Sequence, residues 1–376
     1  MRNLALTTAA AILVAAPIGA SAQIFEAEGV KLRAEVLAEG LDHPWGLDFL
    51  PNGAALVTER SGTMRLFSDG KLSGPITGVP EVASFGQGGL LDVRVSPDFE
   101  TNDTIFLSYS EPGPDGAGTA IARARLVREG EPPALDSVET IFSMNRKTGV
   151  GQHFGSRIVP APDGTLFFTI GERGEPDRAQ VAGDHAGSVL RILPDGGVPE
   201  DNPFVGQEGA APEIWSIGHR NPQGAVWDPV TDALWIVEHG ARGGDEVNRP
   251  EAGKNYGWPV ISYGRHYSGL PIGRGTEAPG YEQPEYYWDP SIAPSGMAVY
   301  TGTMFPEWQG DFLVGALSFQ LVARLDRDGE GSIVGEERLF EGAFGRIRDV
   351  NVAPDGSIWL LTDEDNGQII RISRAE

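Results

Sequence analysis

The sequence predicts an all-β fold, a six-bladed β-propeller with long loops on one rim. One phrase occurs six times: an apolar strand with alternating side chains, a turn rich in Pro, Asp, Asn and Gly, a second apolar strand and a polar run. A β-unit repeated in this way is typical of a ring of similar blades around one axis. The 51 Gly and 28 Pro agree with many short strands joined by tight turns. The copies occupy residues 45–59, 91–109, 156–172, 224–238, 296–316 and 348–363.

Strands at the two ends of the chain are expected to close the ring. Residues 23–40 indicate an outer strand that leads into the first unit, and residues 368–373 form another alternating strand. We predict that the two ends pair within one blade. A pair of β-sandwiches is the alternative architecture, but it does not explain six copies of one phrase. Because no change in composition marks a boundary, residues 23–376 are interpreted as one propeller domain with no long helix.

The first 22 residues are interpreted as a secretory signal peptide rather than as part of the fold. A short basic start precedes an apolar run over residues 4–16, and Ala20-Ser21-Ala22 is a typical cleavage site. An uncleaved anchor is the alternative, although the run is too short to span a bilayer stably. No other stretch is long and apolar enough to cross a membrane. We therefore expect a bacterial protein that is periplasmic or secreted.

Composition narrows the class of partner. The formal net charge of −24 argues against nucleic acid and anionic membranes as partners, and acidity of this kind usually serves solubility. The chain has no cysteine, so packing rather than disulfides must stabilise it outside the cytoplasm. Against an acidic background, a cluster of arginines needs a specific reason.

Hairpin geometry predicts where the chemistry lies. In an antiparallel hairpin, the residues before the first strand and those after the second strand lie at the same edge. Six hairpins therefore direct twelve short segments to one rim, and these segments contain most of the unusual polar residues. The two longest insertions, residues 173–207 and 241–294, both follow a second strand, so we expect both at this rim.

Three arginines on this rim predict an anion receptor. Arg346 and Arg348 are two residues apart at the start of a strand and should point to the same side. Arg220, from the fourth unit, is expected to face the same space. Three guanidinium groups would suit a multiply charged anion that carries carboxylates or phosphates. The alternative is that Asp349 and neighbouring acids pair with these arginines in purely structural ion pairs.

Two further groups suggest chemistry. His153 lies among glycines just before a strand, and Glu172 ends the same unit, so the pair is a possible general base, with a structural histidine as the alternative. The glycines and carboxylates of residues 238–246 form an oxygen-rich segment suited to Ca²⁺. The sequence contains no H-E-x-x-H, G-x-S-x-G, P-loop or Rossmann motif, so zinc-protease, serine-hydrolase and nucleotide-binding functions lack support.

Several runs resemble a known family. They are GHRNPQG at 218–224, EHGARGGDEVN at 238–248, KNYGWP at 254–259, SIAPSG at 291–296 and the R-x-R-D of 346–349. They are similar to the soluble sugar dehydrogenases that depend on pyrroloquinoline quinone (PQQ), in particular the aldose sugar dehydrogenase branch of the glucose/sorbosone dehydrogenase family. The resemblance implies a six-bladed propeller that binds PQQ and Ca²⁺ on its rim. It implies oxidation of an aldose to its lactone, with electrons passed to an external acceptor.

The resemblance also implies a role for individual residues. His153 would be the general base, supported by Glu172, and Gln87 would contact the substrate. The implied cofactor contacts are Arg220, Asn221, Gln223, Ser291, Arg346 and Arg348. The implied Ca²⁺ ligands are the backbone carbonyls of Gly240 and Ala241 beside the cofactor, and Glu246 and Tyr256 at a second Ca²⁺.

One position departs from the family pattern. Relatives often carry a Lys that contacts the cofactor after the fifth hairpin, where this chain has Ser318. The loss of that cation removes a charge-assisted hydrogen bond. Two other functions also stay open at this point. One is a Ca²⁺-dependent propeller lactonase, and the other is a non-catalytic propeller that binds sugars or proteins.

Overall fold

The computed structural model describes residues 22–130 and 132–375 and confirms the six-bladed β-propeller. Strands make up almost all of its regular structure, arranged as six antiparallel sheets. Among the described residues no helix is long and apolar enough to cross a membrane. The interpretation of residues 1–22 as a signal peptide falls, apart from Ala22, outside the described part of the chain.

Each blade begins with its innermost strand, and blades are numbered here by the order of those strands along the chain. Blades 1 to 3 contain β3 (Pro44–Phe49), β4 (Ala55–Glu59), β5 (Thr63–Ser68) and β6 (Lys71–Leu72); β7 (Leu90–Val95), β8 (Thr104–Gly113), β9 (Gly116–Val127) and β10 (Ala134–Ser143); and β11 (Ile158–Pro160), β12 (Leu166–Ile170), β13 (Ser188–Ile192) and β14 (Ile214–Ile217).

The second half of the ring repeats this plan and adds the N-terminal strands. Blades 4 to 6 contain β15 (Pro222–Asp228), β16 (Ala233–Glu238), β17 (Asp245–Asn248) and β18 (Tyr286–Trp288); β19 (Pro294–Val299), β20 (Phe312–Ala316), β21 (Leu321–Arg327) and β22 (Ile333–Leu339); and β23 (Ile347–Val352), β24 (Ile358–Thr362), β25 (Gly367–Arg374), β2 (Val30–Leu41) and β1 (Gln23–Ala27). The helical segments are α1 (Phe99–Asn102) and two 3₁₀ turns, Pro176–Gln180 and Pro306–Trp308.

Blade 6 closes the ring as predicted, because β2 from the start of the chain pairs with β25 from its end. The predicted single outer strand is in fact two strands, β1 and β2, joined by a turn in which Gly29 adopts φ of 75°. Leu32 and Ala34 pack with Ile370 and Ile372 in one buried cluster. Hydrogen bonds and apolar packing between the two chain ends therefore join the last blade to the first residues of the fold.

The predicted location of the two long insertions needs correction. β13 lies inside the 173–207 insertion and returns the chain to the opposite edge, so only the part before Ser188 lies at the rim. The 241–294 insertion leaves the rim along β17 and later returns to it. Two backbone pairings show the return: Arg265 pairs with Arg242, which precedes β17, and Asn255 pairs with Ile217, the last residue of β14. The location of each part of an insertion depends on the direction of the strand inside it. The amino-acid sequence of the insertion does not show that direction.

A buried arginine connects the inner strands at the centre of the ring. Arg157, on the segment before β11, forms ion pairs with Asp92 of blade 2 at 2.9 Å and Asp349 of blade 6 at 3.1 Å. Its Nε donates to the carbonyl of Gln223 in blade 4 at 3.0 Å, and its guanidinium lies 4.4 Å from the ring centroid of Trp45 in blade 1. One side chain thus contacts four other blades.

The two carboxylates that hold Arg157 also bind neighbouring backbones. Asp92 accepts a hydrogen bond from the backbone of Ile158 in blade 3, and Asp349 accepts one from the backbone of Leu47 in blade 1. All three charged side chains are at most 2% exposed. Because isolated charges are very costly inside a protein, these groups depend on one another.

Replacing Arg157 by Gln should destabilise the protein by about 3–5 kcal/mol, because two buried carboxylates lose their cation. The measurement is chemical or thermal unfolding followed by far-UV circular dichroism. Arg125→Gln is the matched control, since Arg125 also forms an aspartate pair, with Asp136 at 2.6 Å, but on the exposed face of blade 2. Equal losses in the two variants would contradict a special role for the central pair.

Candidate functional site

The rim formed by the hairpin ends carries two adjoining cavities. The larger one has a volume of about 180 Å³ and lies at the starts of β3, β15 and β23. Its wall consists of Trp45, Arg60, Gln87, Gln223, His239, Ala293, Leu317, Ser318, Arg346 and Arg348. The smaller cavity lies beside it in blade 4, between the start of β15 and the 241–294 insertion. His239 lines both cavities, so the two are neighbours on the rim.

The structure brings His153 and Glu172 together, as the sequence predicted. The Nδ1 of His153 lies 2.6 Å from a carboxylate oxygen of Glu172. Because the carboxylate can only accept, Nδ1 carries the proton, and the lone pair of the imidazole is on Nε2. Burial, with help from the charges of Arg220 and Arg173, lowers the pKa of His153 although Glu172 raises it. The imidazole is therefore neutral at neutral pH, and its Nε2 can accept a proton.

Backbone contacts position this histidine. His153 adopts φ of 56°, and its N–H donates to the side-chain oxygen of Gln87 at 2.8 Å. Arg173, which follows Glu172, is completely buried and donates to the carbonyls of Gln152 and Val150, while its guanidinium lies 3.5 Å from the ring centroid of Phe154. The chain segment that carries the imidazole is thus held from blades 2 and 3.

The arginine cluster differs in part from the prediction. Arg346 and Arg348 both line the larger cavity, and both pair with one carboxylate, Asp363, rather than with Asp349. Arg348 also donates to the side-chain oxygen of Gln223 at 2.8 Å. Arg220 faces the smaller cavity instead, so the expected trio does not form. A different arginine, Arg60 of blade 1, lines the larger cavity with the other two.

Arg220 and Asn221 present polar atoms that have no partner. Arg220 donates to the carbonyl of His239 at 3.2 Å and lies over the ring of Trp258, but its Nε is buried and unpaired within the described residues. The side-chain oxygen of Asn221 accepts from the backbone of Gly155, whereas its buried Nδ2 donates to no described group. Buried donors are normally satisfied, so these two indicate a missing acceptor.

His239 is a second histidine of this site. Burial, followed by the charges of Arg220, His153 and Arg348, lowers its pKa well below the usual value, so the imidazole is neutral. Its Nε2 is buried and has no hydrogen-bond partner in the described part of the chain. The site therefore combines two neutral imidazoles with several guanidinium groups.

The smaller cavity has an oxygen-rich wall. Asn248 donates to the carboxylates of Glu238 at 3.0 Å and Glu246 at 3.1 Å, which places the two acids side by side. Burial, and then repulsion from Glu238, raises the pKa of Glu246. A divalent cation would offset this repulsion. The hydroxyl of Tyr256 donates to the carbonyl of Arg249, so any metal ligand from Tyr256 would have to be its carbonyl oxygen.

The loop with Gly240 and Ala241 fits a calcium ligand role through its backbone. The N–H of Gly240 donates to Asp245 at 2.7 Å, whereas the carbonyls of Gly240 and Ala241 accept no hydrogen bond from any described residue. A Cβ on Gly240 would lie 2.3 Å from the carbonyl oxygen of Gly243, so glycine is required here. The hydroxyl of Ser291 donates to Asp245 at 2.8 Å, so it supports this loop instead of pointing into the larger cavity.

These observations test whether a calcium ion and an aromatic polycarboxylate fit the site. No group of three or more His, Cys, Asp or Glu side chains suited to a metal occurs among the described residues, so a cation would rest on backbone carbonyls and single carboxylates. Such ligands are those that Ca²⁺ prefers. The unpaired donors of Arg220, Asn221 and Arg348 suit an acceptor-rich ligand. The residues present therefore fit both groups.

Sequence reasoning missed four members of the site: Trp45, Arg60, His239 and Asp363. Trp45 begins the first repeat phrase, and Arg60 and Asp363 follow or end a second strand. The hairpin rule therefore places all three at the rim. His239 stands between Glu238 and Gly240, in a run already assigned to Ca²⁺ binding. The hairpin rule could have identified these residues, had it been used at every hairpin end and not only for charged pairs.

Comparison with known proteins agrees with this geometry. A model of the Glucose / Sorbosone dehydrogenase family matches residues 41–371. The aldose sugar dehydrogenase YliI of Escherichia coli (strain K12) is 44% identical over 347 residues, which cover 91% of this chain and 93% of that protein.

Solved structures give the same result. The apo-form crystal structure of the soluble aldose sugar dehydrogenase Asd from Escherichia coli has a TM-score of 0.88 and 44% identity, and the match covers 92% of this chain and 100% of that one. The PQQ-bound form of the aldose sugar dehydrogenase Adh from Streptomyces coelicolor has a TM-score of 0.74 and 27% identity, with 92% and 99% covered. The chain described here therefore belongs to the Glucose / Sorbosone dehydrogenase family of oxidoreductases.

Proposed function

We propose that this protein oxidises aldose sugars at the anomeric carbon to lactones, using PQQ and Ca²⁺, and that an external acceptor removes the electrons. The observation that carries the proposal is the His153–Glu172 pair, a neutral imidazole oriented by a carboxylate and held through its backbone by Gln87, which lines the larger cavity. Membership of the family and a PQQ-bound relative support the choice of cofactor. A signal peptide over residues 1–22 would place this reaction in the bacterial periplasm or outside the cell.

Proton transfer is the first task of the protein. Nε2 of His153 would take the proton from the anomeric hydroxyl, and Glu172 would stabilise the imidazolium that forms. Gln87 holds the backbone of His153 and lines the larger cavity, and it would contact the same sugar. Because the carboxylate fixes the tautomer, the histidine does not have to reorient before it acts.

Electrostatic positioning is the second task. When bound, PQQ would accept the hydride, and Ca²⁺ would polarise its carbonyl as a Lewis acid. The residues that would hold PQQ are Arg220, Asn221, Gln223, Arg346 and Arg348, with Ser318 in the same wall. The Ca²⁺ beside PQQ would take the carbonyls of Gly240 and Ala241, and a second Ca²⁺ would take Glu246 and Tyr256. Arg220 would stabilise negative charge that develops during the reaction.

The structure offers no specific observation in favour of a lactonase. That function would need Asn, Asp and Glu side chains around a calcium ion on the propeller axis. At the centre of this ring the guanidinium of Arg157 lies between Asp92 and Asp349, so a cationic side chain already neutralises the inner-strand carboxylates. The unpaired donors on the rim likewise suit an acceptor-rich ligand better than a cation.

Reconstitution of the purified protein with PQQ and Ca²⁺ tests the proposal. We expect bound PQQ to be reduced when glucose or another aldose is added, with a change in its absorption spectrum, and an artificial dye to be reduced catalytically. A panel of mono- and disaccharides shows which sugars react. The proposal fails if the reconstituted protein reduces no dye with any sugar of the panel. Lactone hydrolysis without PQQ would instead support the lactonase.

His153→Ala should lower kcat by about 10²–10⁴-fold, because the general base is lost. Binding of PQQ, measured by titration calorimetry, should change little, since the mutation removes no cation. His266→Ala is the control, because His266 lies exposed in the 241–294 insertion, outside both cavities. Full cofactor-dependent turnover in His153→Ala would eliminate the assigned base.

The pH profile gives an independent test of the histidine pair. Since the neutral imidazole is the active form and its pKa is lowered, kcat/KM should rise with pH to a plateau, with its midpoint below the usual histidine pKa of about 6.5. Glu172→Gln should move this midpoint to lower pH, because Glu172 raises the pKa, and should also lower the plateau. A midpoint that stays constant or moves upward would contradict the assigned partnership.

A further inference from the structure

Arg60 lines the larger cavity together with Arg346 and Arg348, but unlike them it has no role in the proposed function. It directly follows β4 of blade 1, and its side chain is half-buried in the cavity wall. The guanidinium makes neither an ion pair nor a hydrogen bond with any group in the part of the chain that the structure describes. A cation in this position is available to a ligand.

The backbone of Arg60 is fixed although its guanidinium is free. Its N–H donates to the carbonyl of His43 at 3.1 Å, and its carbonyl accepts from the backbone of Leu90 in blade 2 at 3.3 Å. Gly89 also packs so closely that an added Cβ would lie 1.8 Å from the Arg60 carbonyl oxygen. The residue is therefore anchored between blades 1 and 2, which limits where its side chain can reach.

The charges around the cavity do not balance. Arg346 and Arg348 share a single carboxylate, Asp363, and Arg60 stands next to this group. Although burial opposes ionisation, Arg348, Arg60 and Arg346 together hold the pKa of Asp363 well below its usual range. Three guanidinium groups thus face one carboxylate, and the excess positive charge suits a ligand with at least two negative charges.

The remaining wall combines an aromatic ring with polar groups. Trp45 contributes an aromatic ring, Gln87 and Gln223 contribute amides, and Ser318 contributes a small hydroxyl group. Apart from the three arginines and His239, the wall contains no side chain that can carry a positive charge. Ser318 is uncharged, so the three arginines supply the positive charge of this wall.

We propose that Arg60 is a ligand-binding residue, the third arginine of a polycarboxylate site formed with Arg346 and Arg348, in a cavity to which Ser318 adds no charge. The ligand class is a polycarboxylate, and its identification as PQQ rests on the function proposed above. Arg60 would bind one carboxylate through charge-assisted hydrogen bonds, while Arg346 and Arg348 would bind another.

Affinity measurements on charge-swap variants test this role. Arg60→Gln should weaken PQQ binding by about 10- to 100-fold, as expected for a lost charge-assisted hydrogen bond. Its affinity should also fall less steeply with ionic strength than that of the wild type. Adding a lysine in the double variant Arg60→Gln/Ser318→Lys should restore most of the affinity. Titration calorimetry and quenching of tryptophan fluorescence measure binding without turnover.

Control variants separate binding from folding. Arg60→Gln should keep the melting temperature of the wild type, because the guanidinium has no described partner to lose. Arg128→Gln removes an arginine from the exposed face of blade 2, where it pairs with Asp103, and should leave PQQ affinity unchanged. Equal PQQ affinities and salt dependences in the wild type and Arg60→Gln would overturn the proposal.

A second probe separates this inference from the proposed function. Benzene-1,3,5-tricarboxylate in calcium-free buffer tests the anion site alone. If it binds with a dependence on Arg60 while PQQ does not bind the wild type, the polycarboxylate site stands and the proposed oxidation falls. If neither compound binds the wild type, the polycarboxylate site is refuted as well.

Discussion

The ion pairs of Arg157 with Asp92 and Asp349 are the interaction on which the rest of the structure depends. They join blades 2, 3 and 6, and the same guanidinium contacts blades 1 and 4 through Trp45 and the Gln223 carbonyl. Trp45 also lines the larger cavity, so the buried network supports the functional rim directly. A ring of blades has no single central core, and a charged group at the axis can connect units whose apolar cores lie between neighbours.

The arginines of the rim have two effects that reinforce each other. Their positive charge suits an anionic cofactor, and it also favours the neutral form of the nearby histidines. After burial, Arg220 lowers the pKa of both His153 and His239, and Arg348 contributes at His239. A site that attracts carboxylates thereby keeps its base unprotonated, while Glu172 preserves the tautomer that leaves Nε2 free.

Much of the candidate site was predictable from hairpin ends alone. His153 and Glu172 meet because one precedes the first strand of blade 3 and the other ends the second. Arg346 and Arg348 line one cavity, as their spacing predicted. The alternative named Asp349 and neighbouring acids as their partners, and the observed partner is Asp363, which follows the adjacent strand. The expected third arginine, Arg220, proved to face the neighbouring cavity. The cavity that a side chain faces depends on the angular position of its blade in the ring. The spacing of residues along the chain does not encode this angle.

The sequence by itself determined the propeller, the closure of the ring by both chain ends and the set of segments at one rim, because strand alternation and turns are local properties of the chain. Only the tertiary structure decided which side chains from different blades meet. It placed Arg157 between two distant aspartates, turned Ser291 toward Asp245 and left the guanidinium of Arg60 without a partner among the described residues. These choices depend on distances across the ring, which follow from how whole blades pack and not from any short run of residues.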